Sequence, residues 1–270
     1  MNRGVLLKAM REALPVTVLC GLGLLGFEIL FANVINSFGR QLSEQWLQMS
    51  FFQNILKALL GTNMDGYGLE AFRAMGWVHP VLLAIIWAHA ISICTRTPAG
   101  EVDRGTADVL FGLPVSRWQV YIGETAVFAA TGLLVIAGAM AGTFLGEVMV
   151  GLENPTGISV LALVGLNLFA LYLAVGGLAF LISALSDRRG KAIALSFGLV
   201  LASFFWNFLA QFWDPAAATS WLSILHYFQP MGLMSGTGLP VADISVLLLT
   251  GSAFWLTGGI VLARRDICTT

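Results

Sequence analysis

The charged residues that could take part in chemistry are concentrated in one short stretch, residues 101–124, which lies between two long apolar runs. Charged side chains are costly in hydrocarbon, so this stretch cannot cross a membrane. We interpret it as a polar loop at a membrane surface, with a short helix around residues 106–111 to which a soluble partner could bind. The charged side chains are Glu101, Asp103, Arg104, Asp108, Arg117 and Glu124, with Arg96 just upstream.

The sequence carries no motif for nucleotide hydrolysis or metal chemistry. The Gly190–Lys191 pair lacks the upstream glycine and the following Ser or Thr that a phosphate-binding loop needs. His79 and His89 are ten residues apart, and no carboxylate or cysteine completes a set of metal ligands around them. We therefore predict that the chain is not an enzyme and holds no cofactor or metal of its own.

The elements that must position the charged stretch are membrane-spanning helices. Hydrophobic residues make up 57% of the chain and charged residues only 11%, whereas an ordinary soluble domain is about 25% charged. Several uncharged runs exceed the roughly 20 residues that span a bilayer as a helix. We predict an all-α polytopic membrane protein with spans at 15–35, 77–95, 125–145, 158–186, 192–212 and 244–263.

The segments between and before these spans have their own patterns. Residues 1–14 predict an amphipathic elbow helix on the membrane surface, and Pro15 is expected to break or kink the helix there. Residues 36–76 form the longest non-spanning segment, in which a recurrence of apolar residues every three or four positions predicts a helix. Residues 213–242 contain no Lys or Arg and predict a re-entrant or interfacial helix pair.

The distribution of basic residues predicts the orientation in the membrane. Eleven of the fourteen Lys and Arg residues lie in the amino end, the 96–124 region, the 187–191 loop and the carboxyl end. Because cytoplasmic loops carry an excess of Lys and Arg, both termini and both basic loops are predicted to be cytoplasmic.

A few polar and small residues inside the spans are candidates for function or for packing. Glu28 is a functional-site candidate because an ionisable group in a span is costly. It could instead lie near the outer end of the span and extend to the membrane surface, or accept a hydrogen bond from a neighbouring helix. Gly138, Gly142 and Gly146 form a ladder that would let helices approach closely. The candidate residues of a translocation path are Glu28, Asn167, Asn207 and Gln211, and the last three are equally compatible with helix packing.

The charged stretch resembles a loop of a known family. The pattern Glu101-x3-Gly105-Thr106-x3-Leu110-x3-Pro114-Val115-Ser116-Arg117, followed by Gly123, is similar to the loop between spans two and three in permease subunits of ABC-2-type ABC transporters. The resemblance extends to the amphipathic amino-terminal elbow, six spans, an Arg-rich loop after span four and a re-entrant segment before span six. The chain departs from the pattern at Glu124, where members often carry Lys.

The resemblance implies a dimeric permease, an exporter in the bacterial inner membrane, that docks two copies of a cytoplasmic ATPase through a coupling helix in the 96–124 region. ATP and Mg²⁺ would bind to the ATPase, and the other partners would be lipids and not nucleic acid. The residues implied to contact the ATPase are Glu101, Gly105, Thr106 and Pro114, with Asp103, Arg104, Asp108 and Arg117 as polar contacts and Val109, Leu110 and Phe111 as an apolar knob. A secondary contact would use Lys8, Arg11, Arg188 and Arg189.

Two other classes of function remain open at this point. A gradient-driven transporter or channel that works alone would depend on Glu28 or His89. A membrane assembly factor would use ATPase-driven motion to act on a periplasmic protein through residues 36–76 and 213–242. The substrate is not identified by the sequence, although the apolar spans suit an amphipathic drug, a peptide or a lipid-linked molecule.

Overall fold

The structure is a computed structural model, and it describes residues 3–41, 69–152 and 154–266. Those residues form helices and connecting turns without a β-strand. Six helices among them are long and apolar enough to cross a membrane, which confirms the predicted all-α polytopic fold. The spans run over Arg3–Ser37, Glu70–Cys94, Arg117–Met149, Ile158–Leu185, Arg189–Leu209 and Val241–Arg264.

We number the long helices together with the short helix that lies between the second and third spans. Pro80 stands at the first position of α3, and the ring of His79 accepts a hydrogen bond from the Val81 amide there, so α3 starts separately from α2 although the two form one span. The helices are α1 (Arg3–Gln41), α2 (Leu69–Val78), α3 (Pro80–Cys94), α4 (Ala107–Phe111), α5 (Arg117–Met149), α6 (Ile158–Leu185), α7 (Arg189–Leu209) and α8 (Val241–Arg264).

Short helical turns complete the described chain. Two of them, Arg96–Gly100 and Glu101–Asp103, follow α3. Four more lie between α7 and α8, in the region where the sequence predicts an interfacial helix pair, and they span Asp214–Ala218, Ser220–Leu222, Ile224–Tyr227 and Pro230–Met234. The helix predicted within 36–76 falls mainly on residues 42–68, which lie outside the described residues.

Of the two outcomes predicted at Pro15, a break or a kink, the break is wrong. Helix α1 continues through Pro15, so the amino-terminal elbow and the first span are one helix from Arg3 to Gln41. A proline within a helix removes one backbone hydrogen bond. Contacts with α5 extend from Val5, beside Gly123, to Ile29, beside Gly146, so α1 is supported on both sides of the proline.

The second and third spans begin well before their predicted starts. The second span starts at Glu70, inside the region assigned to the 36–76 segment. The third starts at Arg117, inside the 96–124 region, because Ser116 and Gln119 form a capping box that fixes the helix start. The polar residues in its first turns are tolerated because each has a partner within the protein.

Helices α1 and α5 run parallel and pack closely through the predicted glycine ladder. A methyl group at Gly142 would lie 2.6 Å from the carbonyl oxygen of Leu25, and one at Gly138 would lie 2.8 Å from the carbonyl oxygen of Gly21. Small residues allow helix backbones in a membrane to approach in this way. The ladder therefore has the packing role that the sequence predicts.

Helices α6 and α8 form a second parallel pair that depends on glycine in the same way. A methyl group at Gly177 would collide with the backbone of Gly251, and one at Gly258 would lie 3.0 Å from the Leu181 Cα. The two pairs meet through aromatic residues: the Tyr121 hydroxyl donates to the Trp255 carbonyl over 2.8 Å. The described bundle thus consists of two closely packed pairs, with α3 between them and α7 at one side.

A methyl group at Gly142 should destabilise the bundle, because the Leu25 backbone cannot move away without separating α1 from α5. We expect Gly142→Ala to lower the free energy of unfolding by about 1–3 kcal/mol, measured as a lower thermal midpoint in detergent. Gly198→Ala is the matched control, since nothing lies within 4 Å of its added methyl group. An unchanged midpoint for Gly142→Ala would contradict the packing.

Candidate functional site

We call one end of the bundle the basic end. It contains the start of α1, the α3–α5 loop (residues 95–116), the connection between α6 and α7, and the end of α8. The eleven basic residues counted in the sequence all belong to these segments or to the helix ends beside them. The α3–α5 loop contains the charged motif.

Glu101 is the centre of a polar network that orders the loop. Glu101 is buried, with only 2% of the residue exposed. The Lys8 ammonium and the Arg104 guanidinium each donate to its Oε1 over 2.7 Å. The Thr106 hydroxyl donates to Oε2 over 2.5 Å, and the Thr106 amide donates to the Glu101 carbonyl over 2.9 Å. Glu101 therefore closes the loop on itself and joins it to α1.

The surroundings of Glu101 favour its charged form. Burial on its own would raise the pKa of this carboxyl group. The hydrogen bonds from Lys8 and Thr106, together with the positive charges of Lys8 and Arg104, outweigh burial and hold the pKa of Glu101 below its ordinary value of 4.5. Glu101 is therefore a carboxylate at neutral pH, and all three of its donors stay engaged.

A second anchor lies at the start of the loop. The Arg96 guanidinium donates to the Glu124 carboxylate over 2.9 Å and to the Ala9 carbonyl of α1 over 2.9 Å. The Thr97 hydroxyl donates to the same carboxylate over 3.3 Å. The side chains of Arg96 and Glu124 are only 5% and 6% exposed. Glu124, which departs from the resembling pattern, thus has an internal partner.

The loop also contacts the helices on its other side. Asp103 accepts a hydrogen bond from the Arg189 amide, at the start of α7, over 3.3 Å. The Arg189 guanidinium extends back to the Ser92 carbonyl of α3 over 3.2 Å. These contacts join the loop to the connection between α6 and α7, which contains the Arg-rich segment.

Arg117 holds the carboxyl end of α8. Its guanidinium donates to the Leu262 carbonyl over 2.9 Å and to the Arg265 carbonyl over 2.5 Å. The same guanidinium lies over the ring of Phe111, 5.7 Å from the centroid, in a cation–π arrangement. Arg117 and Phe111 are thus engaged within the chain.

Helix α4 presents one apolar side chain outward. Val109 is 73% exposed, whereas Leu110 is 6% exposed and packs with Val5 and Val120. Asp108 is exposed beside Val109. Of the three residues predicted to form an apolar knob, only Val109 therefore points outward to solvent, because Leu110 and Phe111 face the bundle.

The remaining loop residues support this short helix. Gly105 has a φ of +68°, a left-handed conformation that favours glycine, and it reverses the chain between the Glu101 turn and α4. Pro114 and Leu113 are exposed after the helix. A groove of about 320 Å³ lies between α4 and α1, with Lys8 and Leu113 among its lining residues.

The residues predicted for a secondary contact divide into two groups. Arg11 on α1 and Arg188 before α7 are exposed at the basic end. Lys8 donates to Glu101 and also pairs with Glu12 at 3.3 Å. Arg189 is half-buried.

The structure places the candidate path residues Glu28 and Asn167 in different surroundings. Glu28 is 2% exposed in the α1–α5 interface, where one carboxylate oxygen accepts from the Thr143 hydroxyl over 3.0 Å. Asn167, on α6, accepts from the Gln229 amide over 3.1 Å and donates to the Tyr227 carbonyl over 3.3 Å. Asn167 thus anchors the segment before α8, which is a structural task.

The other two polar candidates lie on or just beyond α7. Asn207 lines a small cavity of about 30 Å³, bordered mainly by aromatic and aliphatic side chains. Gln211 is half-buried just beyond the helix.

His89 takes part in a buried network that the sequence did not reveal. One ring nitrogen lies 3.1 Å from the Thr17 hydroxyl and the other 3.1 Å from the Tyr172 hydroxyl. Within the described residues, no group of three His, Cys, Asp or Glu side chains could hold a metal ion. His89 therefore joins α1, α3 and α6 by hydrogen bonds.

Sequence reasoning also missed the internal partners of the charged residues. A charge inside an apolar bundle requires a counter-charge, and this rule could have suggested that Arg96 pairs with one of the nearby carboxylates. No spacing in the sequence identifies Glu124 as that partner, because the two residues lie on different helical segments. Long-range pairs such as Lys8 with Glu101 depend on the packing of α1.

The fold and site define a multi-pass membrane protein with an ordered, charged loop at one end. A model of the family described as ABC-2 family transporter protein matches residues 7–237, so the chain belongs to that family. This confirms the resemblance found in the loop motif. Neither a curated protein nor a solved structure matches the chain.

Replacing Glu101 with glutamine should destabilise the loop. It should also remove the pH dependence of stability that comes from titration of the Glu101 carboxyl group. Hydrogen bonds to charged groups contribute about 1.5–3 kcal/mol each, so we expect a loss of that order at neutral pH. The lowered pKa means that the stabilisation is fully present above 4.5 and disappears as the pH falls through the lower value of the folded state.

Thermal midpoints of the original chain and Glu101→Gln should therefore converge as the pH is lowered below 4.5. Asp266→Asn, at an exposed carboxylate after α8, is the control and should change little. If the difference in thermal midpoint between the original chain and Glu101→Gln instead grows as the pH is lowered, the pKa of Glu101 is not lowered in the folded state.

Proposed function

We propose that this chain is the permease subunit of an ATP-driven ABC transporter that works as an exporter in the bacterial inner membrane. Two copies would pair, and each would dock one cytoplasmic ATPase subunit at its basic end. The distribution of Lys and Arg supports a cytoplasmic location for this end and for both termini. Membership of the family supports the association with an ATPase in general.

The exposure of Val109 on an otherwise anchored helix is the observation that carries the proposal. An apolar side chain that is 73% exposed would gain from burial in a partner's pocket. Because the Glu101 network already orders the loop, docking would require little further loss of conformational freedom. Asp108 and Arg104, both exposed next to α4, would supply polar contacts around Val109.

A wider ring of residues would complete the docking surface. Asp103 is exposed although it also accepts from the Arg189 amide. Arg11 and Arg188 are exposed at the same end and suit a secondary contact with acidic groups of the ATPase. Glu101, Leu110 and Arg117 would act within the permease, by holding α4 and the end of α8 in place.

The proposed cycle converts ATPase closure into helix movement. ATP would bring the two ATPase subunits together and displace the two α4 helices with them. The α3–α5 loop would pass this displacement to the tightly packed spans, which would move as rigid bodies and open a central path. ATP and Mg²⁺ would bind only to the ATPase, and this chain would perform no hydrolysis.

The substrate path would form between the two copies. Asn207 and Gln211 are the polar groups that would face it, whereas Asn167 already holds the segment before α8 and Glu28 is buried in the α1–α5 interface. An amphipathic substrate suits the predominantly apolar spans. A stand-alone transporter would instead have to move its substrate without an ATPase, and Glu28 or His89 would be essential to it.

Introducing a charge at Val109 should disrupt docking without disturbing the fold. We expect Val109→Asp to reduce co-purification of the ATPase at least tenfold, because burying the new carboxylate in an apolar pocket is unfavourable. Val241→Asp is the matched control: it places the same change at an exposed valine at the start of α8, away from the basic end. The readout is the ATPase-to-permease ratio after affinity purification from membranes.

Both variants should keep the thermal midpoint of the original chain. Retention of the ATPase by Val109→Asp at the original ratio would contradict the docking surface. Transport by the purified permease alone, driven by an ion gradient, would contradict the proposed function as a whole.

A further inference from the structure

Helix α5 carries a buried ion pair near each end, and the two pairs join different parts of the protein. At the basic end, Glu124 pairs with Arg96 at 2.9 Å. At the opposite end, Glu147 pairs with Arg73 of α2 at 3.0 Å, and its carboxylate also accepts from the Thr156 amide and hydroxyl. Both pairs have low exposure, with side-chain values of 10% or less.

The pair at the basic end connects three segments. Arg96 precedes the charged part of the α3–α5 loop, Glu124 belongs to α5, and the second guanidinium nitrogen of Arg96 donates to the Ala9 carbonyl of α1. Lys8, the neighbour of Ala9, donates to Glu101 further along the loop. The loop is thus fixed to one turn of α1 at two points.

Stability alone does not account for such a pair. Two charges lose their hydration on burial, and a buried ion pair can often be replaced by apolar residues of similar size without loss of stability. In some proteins, however, buried polar or ionic groups are retained because they specify one arrangement of the segments that they join. Arg96 uses its two terminal nitrogens on two different helices.

We propose that Arg96 and Glu124 are positioning residues that make the start of the loop move as one body with α1 and α5. This inference rests on the proposed function, because it concerns how displacement of α4 by an ATPase reaches the membrane spans. The close glycine contacts between α1 and α5 then carry the movement along the length of both helices. When the pair is removed, α4 still docks and moves, but α1 follows it less.

The test compares two apolar replacements on the same helix. Arg96→Met with Glu124→Met removes the pair at the basic end, and Arg73→Met with Glu147→Met removes its counterpart at the opposite end. Both keep side-chain volume and leave no buried charge without its partner. Thermal midpoints are measured for both, and Glu124→Gln is added as a milder variant that retains an acceptor for Arg96.

Movement is measured in the complex with the co-purified ATPase by pulsed electron paramagnetic resonance. Spin labels are attached to cysteines at Leu113, after α4, or at Leu30, on the distant part of α1; both positions are exposed. The native cysteines Cys20, Cys94 and Cys268 are replaced by alanine. The distance between equivalent labels on the two copies is recorded with and without ATP.

In the original chain and in the Arg73/Glu147 variant, we expect ATP to change the distance at both label positions. In the Arg96/Glu124 variant, the change at Leu113 should persist while the change at Leu30 falls by at least half. Glu124→Gln should show a smaller reduction at Leu30. If ATP hydrolysis continues while the movement at Leu30 is reduced, the ATPase is still docked and only the transmission of movement to α1 is lost.

Three results would overturn the inference. The first is an Arg96/Glu124 variant that retains the full ATP-dependent distance change at Leu30. The second is an Arg73/Glu147 variant that loses as much of this distance change as the Arg96/Glu124 variant does. The absence of any ATP-dependent change at Leu113 in the original chain would contradict the proposed function itself, and the positioning role with it. The Leu113 measurement therefore distinguishes failure of the inference from failure of the function on which it rests.

Discussion

A charged group in an apolar bundle needs a partner, and this requirement shapes the basic end of the protein. Glu101 is held by Lys8, Arg104 and Thr106, while Arg96 is held by Glu124 and a backbone carbonyl. These bonds turn a hydrophilic stretch into an ordered loop with α4 at its tip. At that tip the apolar residue Val109 is 73% exposed.

The helix pairs complement this polar organisation. Glycine contacts bring α1 against α5 and α6 against α8, so each pair is joined along much of its length by backbone approach. The polar network then attaches the loop to the first pair, while Arg117 attaches the start of α5 to the end of α8. A stiff bundle with an anchored external loop is suited to transmitting movement from outside the membrane.

The sequence predicted those features that depend on local composition and periodicity. Apolar runs predicted six spans, and the small-residue ladder predicted close packing of α5. Of the break or kink predicted at Pro15, the break was wrong, because contacts along α5 support α1 as one helix. The sequence could not show which side of α4 faces outward, since Leu110 and Val109 are adjacent apolar residues and only packing distinguishes them. The sequence could not identify Arg96 as the partner of Glu124 either, because that pairing also depends on packing.

In the proposed function, Val109 on the anchored loop lies in contact with a separate ATPase. A photo-crosslinking amino acid at Val109, activated in living cells and followed by mass spectrometry of the adducts, tests this contact most directly. We predict an adduct with a nucleotide-hydrolysing subunit from the probe at Val109 and no such adduct from the same probe at Val241. An efficient crosslink at Val109 to lipid or to other proteins, with no ATPase among the adducts, would contradict the proposed contact.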